Sequence, residues 1–219
     1  MLCDLRELVK KYNLDINHIL HIGAHFGQEL DVYEQLATER VLMFEPVPDT
    51  FAVLEKRVKE WSKAFPKKVL LANIALGSSS NEIEMYIEKN NKSMSSSLLK
   101  PKLHLEQYDW IKFDDSDKIS VRQCRLDDYL ASVDNNKKFD FINIDVQGYE
   151  LEVFKGALQT LENIKAIYTE VNRAELYENC CMVSDLDEFL GAHGFQRVET
   201  NWEGISWGDA LYVRRNNEN

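Results

Sequence analysis

The chain has 219 residues, of which 44% are hydrophobic and 29% charged. That is the balance of an ordinary folded protein; it excludes disorder and favours one domain over residues 1–219 with a sizeable core. The formal net charge of -11 argues against nucleic-acid or anionic-membrane surfaces, which need basic patches that displace counterions.

The amino terminus carries neither the basic start nor the apolar stretch of a signal peptide, and no apolar run approaches membrane-spanning length, so we expect a cytoplasmic protein without membrane insertion. Cys3, Cys124, Cys180 and Cys181 lack both zinc-site spacing and disulfide density and read as reduced thiols. Lys63, Lys67 and Lys68 read as solvated charge at a helix end.

Within the first segment, 1–17, Leu2 to Leu14 carry apolar residues at helical spacing and predict a lead-in helix over one face of a sheet. Ile19 to Ala24 reads as a buried strand that breaks into a turn spaced by Gly23 and Gly27, where the backbone can approach a ligand; a helix follows from Gln28. Val41 to Phe44 is a second buried strand. Glu45 at its end stands where an open α/β sheet holds a ribose, whose two hydroxyls a carboxylate can accept. Asp49 caps a helix to about Trp61, and Lys68 to Leu76 is a third apolar run. The alternation from Glu82 to Ile87 predicts a half-exposed strand beside the third one, without a new layer. Residues 90–118, polar and serine-rich, predict a lid or substrate loop.

A short helix from Arg125 then leads to a fourth strand, Phe139 to Asp145, which ends on a carboxylate. Gly148, an amphipathic helix and a fifth strand, Ala166 to Val171, follow. The helix from Ser184 to His193 precedes two runs, Phe195 to Val198 and Ala210 to Val213, with no helix between them, so they should form a hairpin. The alternation predicts an α/β, doubly wound, mostly parallel sheet with one antiparallel strand.

Buried carboxylates at strand ends are hard to explain by packing, which singles out Asp145 and Glu170, with Asn172 just beyond. The pair could share a proton, act as a general base or hold a divalent cation through oxygen ligands, and the sequence leaves these open. Glu150 reads equally well as a helix-start acid, and Asp127 and Asp128 read first as a helix-start pair and only second as site residues. His25 lies within the glycine turn, and His18, His104 and His193 carry no signal of their own. A nicotinamide-dependent or nucleotide-sugar enzyme would also want a glycine turn and an acidic second strand, but the turn is Gly-x-x-x-Gly rather than Gly-x-Gly-x-x-Gly.

The segments His21 to Glu29, Phe44-Glu45-Pro46, Asn73 to Gly77, Ser96-Ser97-Leu98, Leu126-Asp127-Asp128, Asp145 to Ala157 and Trp207 to Tyr212 together resemble the FkbM-type S-adenosylmethionine-dependent methyltransferases, class I enzymes that mostly methylate hydroxyl oxygens. The stretch Asp145 to Ala157 is the most specific. The resemblance implies a seven-stranded, Rossmann-like sheet whose last strand is antiparallel, and S-adenosylmethionine as cofactor. It implies cofactor contacts from His21, Gly23, Ala24, Gly27, Glu29, Glu45, Pro46, Asn73, Ala75, Ser96 and Asp145, with Asn73 and Ala75 near the adenine. The implied acceptor is a hydroxyl of a sugar, glycan precursor or other secondary metabolite. Two departures stand out. His21 replaces the usual acid that meets the cofactor's ammonium group, although a neutral imidazole can accept the same hydrogen bond and Glu29 can share the task. Gln147 stands where the family more often has Glu. These two residues are the only support for a degenerate, non-catalytic domain.

Overall fold

The structure, a computed structural model, describes residues 2–64, 68–108, 110–133 and 138–215; Lys67 lies outside the described residues. Asp4 caps the first helix, α1 (Leu5–Lys11), by accepting the N–H of Arg6, which satisfies one of the unpaired donors of the first turn. The helix is shorter than its apolar spacing suggests because Asn13 adopts a left-handed φ of 48°. Then come β1 (His18–Ile22), α2 (Leu30–Gln35), β2 (Arg40–Phe44), α3 (Pro48–Ala64), β3 (Lys68–Ala72), β4 (Ala75–Leu76), β5 (Asn81–Glu88), α4 (Leu103–Gln107) and β6 (Phe113–Cys124). The second half runs α5 (Leu126–Val133), β7 (Phe141–Ile144), α6 (Glu150–Lys155), α7 (Leu158–Leu161), β8 (Ala166–Asn172), α8 (Val183–Ala192), β9 (Phe195–Glu203) and β10 (Trp207–Arg214).

Seven strands form one sheet in the order β3-β2-β1-β7-β8-β10-β9. The first five pair in parallel, and β10 runs antiparallel between β8 and β9, so the expected terminal hairpin is present. After β3 the chain returns to the other side of β1. This reversal of strand order opens a crevice at the carboxyl ends of β1 and β7, where open α/β sheets take their ligands.

Side-chain alternation divides the core between the two faces of this sheet. Leu20, Ile22, Leu42, Phe44, Ile142 and Ile144 pack against residues of α5, α6, α7 and α8 such as Leu126, Phe154, Leu161 and Leu190. Ile19, Val41, Met43, Phe141 and Tyr168 pack on the other face against α1, α2 and α3 through Leu5, Leu8, Leu30, Leu54 and Trp61. The helices therefore wind on both sides, as the pattern predicts.

One expectation is corrected. β5 does not join β3; it pairs with β6 in a separate three-stranded sheet, order β4-β6-β5, so the insertion does start a second layer. β6 also takes Phe113–Lys118 out of the expected loop. Its first half, Phe-Asp-Asp-Ser-Asp-Lys, has no period-two pattern to reveal it, and only Phe113 and Lys118 of that half are in register with β5, at Glu88 and Tyr86, across an irregularity. A small apolar cluster of Val47, Ala75, Met85 and Val121 fastens this second sheet to the first.

Candidate functional site

A cleft of about 460 Å³ opens at the carboxyl ends of β1, β2 and β7. Its floor is a polar row across an otherwise apolar sheet face: His21 pairs in register with Asn143, and Asn143 with Tyr168. All three line the cleft and are buried.

The glycine turn makes one wall. Gly23 and Ala24 both donate N–H to the carbonyl of Phe44. Gly23 has φ +79°, and a Cβ there would stand 1.8 Å from the Asp145 carbonyl oxygen, so only glycine lets β1 and β7 approach at this point. Glu45, 5% exposed, accepts the His25 N–H through Oε2 and the Val47 N–H through Oε1, each at 2.9 Å. These bonds fix its carboxylate, while burial pushes its pKa up to about 7. His25 then joins the turn to the insertion: its Nε2 donates to the Lys92 carbonyl at 2.7 Å, and Gln28 contacts its Nδ1 at 2.9 Å.

At the other end of the cleft, His21 Nε2 lies 3.8 Å from Glu29, and burial holds the imidazole below its ordinary pKa, hence neutral. Its Nδ1 has no partner, nor does Asn143 Oδ1, whose amide nitrogen donates to Tyr33 at 2.6 Å. Two acceptors, a fixed carboxylate and a turn opened by Gly23 fit a nucleoside cofactor with an ammonium group. Residues Cys3 to Arg6 close this end from above. Cys3 N–H donates to Tyr168 Oη at 2.9 Å, and that hydroxyl donates to Asp209 at 2.9 Å.

Beyond the cleft floor lies a group of acids. Asp145 is partly exposed and lines the cleft; Glu170 is buried behind it and does not. Gln147 Nε2 donates to both, at 2.8 Å and 2.9 Å, and Tyr177 donates to its Oε1 at 2.8 Å. Burial raises both carboxyls, and it lifts Glu170 well above the ordinary range, with the like charge of Asp145 and Glu150 adding to the effect. Glu150 shapes the chain: its Oε1 accepts the N–H groups of Val146 and Gly148. Asp127 likewise accepts the N–H groups of Gln159 and Thr160, capping α7.

Most of the residues singled out in the sequence converge here. His21, Gly23, Ala24, Glu29, Glu45, Pro46, Ala75, Ser96 and Asp145 all line the cleft. Gly27 and Asn73 support it instead: Gly27 turns at φ +70° against Leu54, and the Asn73 amide donates to the carbonyls of Glu45 and Pro46. Asn143, Tyr168 and the segment Cys3–Arg6 are further lining residues that the sequence reading passes over. Asn143 did leave a signal, a lone amide inside the apolar run Phe-Ile-Asn-Ile. Among the described residues, no three or more His, Cys, Asp or Glu cluster as a metal site would require, and no helix is long and apolar enough to cross a membrane.

Residues 21–197 match the family described as Methyltransferase FkbM domain. The 2-O-methyltransferase NoeI of Sinorhizobium fredii is 31% identical over 166 residues, which cover 73% of this chain and 65% of that protein; the match thus spans less than two thirds of the relative's length. Among solved structures, an FkbM methyltransferase from Methylobacillus flagellatus superposes with a TM-score of 0.60 at 15% identity, over 90% of this chain and 43% of that one. A magnesium protoporphyrin IX methyltransferase from Synechocystis with bound SAM gives 0.54 at 11%, over 96% and 76%. The sheet order, the crevice at its reversal and the match over residues 21–197 converge on one assignment: the chain belongs to the FkbM methyltransferase family.

Proposed function

We propose that the protein transfers the methyl group of S-adenosylmethionine to a hydroxyl oxygen of a small acceptor, first of all a sugar or glycan precursor. The observation that carries the reading is Glu45, a buried carboxylate held at the cleft by two backbone N–H groups, where both ribose hydroxyls can be accepted. The bound cofactor would supply an electrophilic methyl carbon on a sulfonium. His21 Nδ1 and Asn143 Oδ1 would receive the ammonium group of its methionine part, with Glu29 nearby, and Gly23 and Ala24 would admit the cofactor past the backbone. Asp145, facing the cleft with its charge partly suppressed by burial, takes the acceptor's proton as general base, and Glu170 supports it from behind. The hydroxyl acceptor rests on the resemblance to a 2-O-methyltransferase, and the net charge of -11 favours a small molecule over a nucleic acid. Four free thiols fit a cytosolic setting.

Calorimetric titration with S-adenosylhomocysteine tests the reading. We expect roughly micromolar binding that Glu45→Ala weakens at least about tenfold, or about 1.4 kcal/mol. Unchanged affinity in Glu45→Ala would withdraw the ribose assignment, and binding of NADH in place of S-adenosylhomocysteine would withdraw the function.

A further inference from the structure

Directly after β7 the backbone enters the left-handed region twice, at Gln147 (φ 55°) and Gly148 (φ 93°). A Cβ on Gly148 would stand 2.7 Å from that of Cys180, so the second turn residue cannot carry a side chain without displacing the segment behind it. This tight reversal sends the Gln147 amide across the ends of β7 and β8. Both protons of its nitrogen are used, one on Asp145 Oδ1 at 2.8 Å and one on Glu170 Oε2 at 2.9 Å. Its oxygen lies 2.8 Å from the Tyr177 hydroxyl, whose one proton is shared between this oxygen and the Ser95 carbonyl at 2.9 Å, and its backbone carbonyl accepts from Ser97 at 2.8 Å. The amide orientation follows from this company. Reversed, it would set an amide oxygen within 2.9 Å of Asp145 Oδ1 and Glu170 Oε2, a contact that repels whenever Asp145 is ionised, as a general base must be.

We infer that Gln147 is a positioning residue standing in for a cation: its amide nitrogen bridges Asp145 Oδ1 and Glu170 Oε2, in the place between them that a divalent ion would take, so the pair is held ready without a metal ion. An ion there would need oxygen ligands on every side, whereas Gln147 presents a donor nitrogen to both acids. The inference rests on the proposed function only for naming Asp145 the base.

Mn2+ titration of the full chain, with the free ion followed by electron paramagnetic resonance, tests it. The wild type should show no stoichiometric binding below about 1 mM, and Gln147→Glu, which puts a third carboxylate in place of the donor, should bind Mn2+ at least roughly tenfold more tightly. Stoichiometric Mn2+ binding by the wild type that Asp145→Asn removes would overturn the inference and needs no Gln147 variant to fold. So would a Gln147→Glu protein that still binds S-adenosylhomocysteine yet gains no Mn2+ affinity. The S-adenosylhomocysteine titration runs separately: its failure in the wild type sinks the methyltransferase reading, whereas the Mn2+ result judges the amide bridge alone.

Discussion

Glu45 shows how one side chain can couple ligand and proton. Its folded pKa of about 7 lies above the ordinary 4.5 because burial penalises the charge, and ribose hydroxyls donating to the carboxylate would favour the charged form. Cofactor binding should therefore release close to one proton below pH 7. Affinity for S-adenosylhomocysteine should rise up to about tenfold per pH unit as pH approaches 7, then level off. Calorimetry in buffers of different ionisation enthalpy measures the proton directly, and Glu45→Gln should abolish its release; an affinity flat from pH 5.5 to 8 would refute the coupling. Glu45 was legible in the sequence because it closes the buried run that follows the glycine turn, at the strand end where an open α/β sheet holds a ribose. Glu150 and Asp127 looked much the same at a helix start, yet they spend their oxygens on backbone N–H groups. Sequence spacing reports where an acid lies but not which donors reach it. Gln147 was legible only as a departure from the family pattern, since its role depends on a left-handed turn that brings two distant strand ends together.

The strands and helices that bury a continuous face announced themselves, whereas those held by hydrogen bonds to another element did not. All five residues of β2 and all seven of β8 are buried, and both stand out as apolar runs. The first half of β6 is missed because it carries no apolar alternation; only Phe113 and Lys118 pair with β5 there, and the continuous ladder lies in the second half. The amino-terminal segment lies between these cases: Leu5 and Leu8 reveal the helix, but not that residues Cys3 to Arg6 close the cleft. That closure hangs on a few polar contacts, Cys3 N–H to Tyr168 and the donations of Leu2 N and Tyr168 to Asp209. Asp209→Asn weakens these bonds without altering the cleft lining. It should speed S-adenosylhomocysteine release roughly fivefold or more while costing about 1–2 kcal/mol of stability or less. Stopped-flow displacement reads the rate, and an unchanged rate would show that the segment does not retain the cofactor.

At the scale of the whole molecule, a site that crowds four raised carboxyls into one end of the sheet makes stability depend on pH in an unusual direction. Glu45 and Glu150, both near 7, and Glu170, raised well above the ordinary range by burial, keep their protons in the fold to higher pH than their unfolded counterparts, near 4.5. An acid with a raised folded pKa contributes stability that is complete below its unfolded pKa and lost as pH rises through the folded one. The opposite sense belongs to His104, held down to about 4 by burial: its contribution is present above its unfolded value of 6.5 and lost as pH falls. Between pH 6.5 and 8 the loss from the acids outweighs the small remaining gain from the buried His104 and His21, so the ligand-free protein should lose roughly 1–2 kcal/mol, a drop of a few degrees in thermal midpoint at this chain length. General repulsion from the net charge of -11 acts in the same direction, but salt separates the two. Repulsion between surface charges fades when the Debye length falls to about 3 Å at 1 M, whereas the desolvation of buried Glu45, Glu150 and Glu170 does not. Thermal scans at low and high salt should both show the fall, Glu45→Gln should reduce it, and S-adenosylhomocysteine should offset most at pH 8, where Glu45 is already charged. A midpoint that stays level or climbs from pH 6.5 to 8 at high salt would mean that the acids at the sheet edge are solvated rather than buried, and that the cleft is wider than its walls now make it.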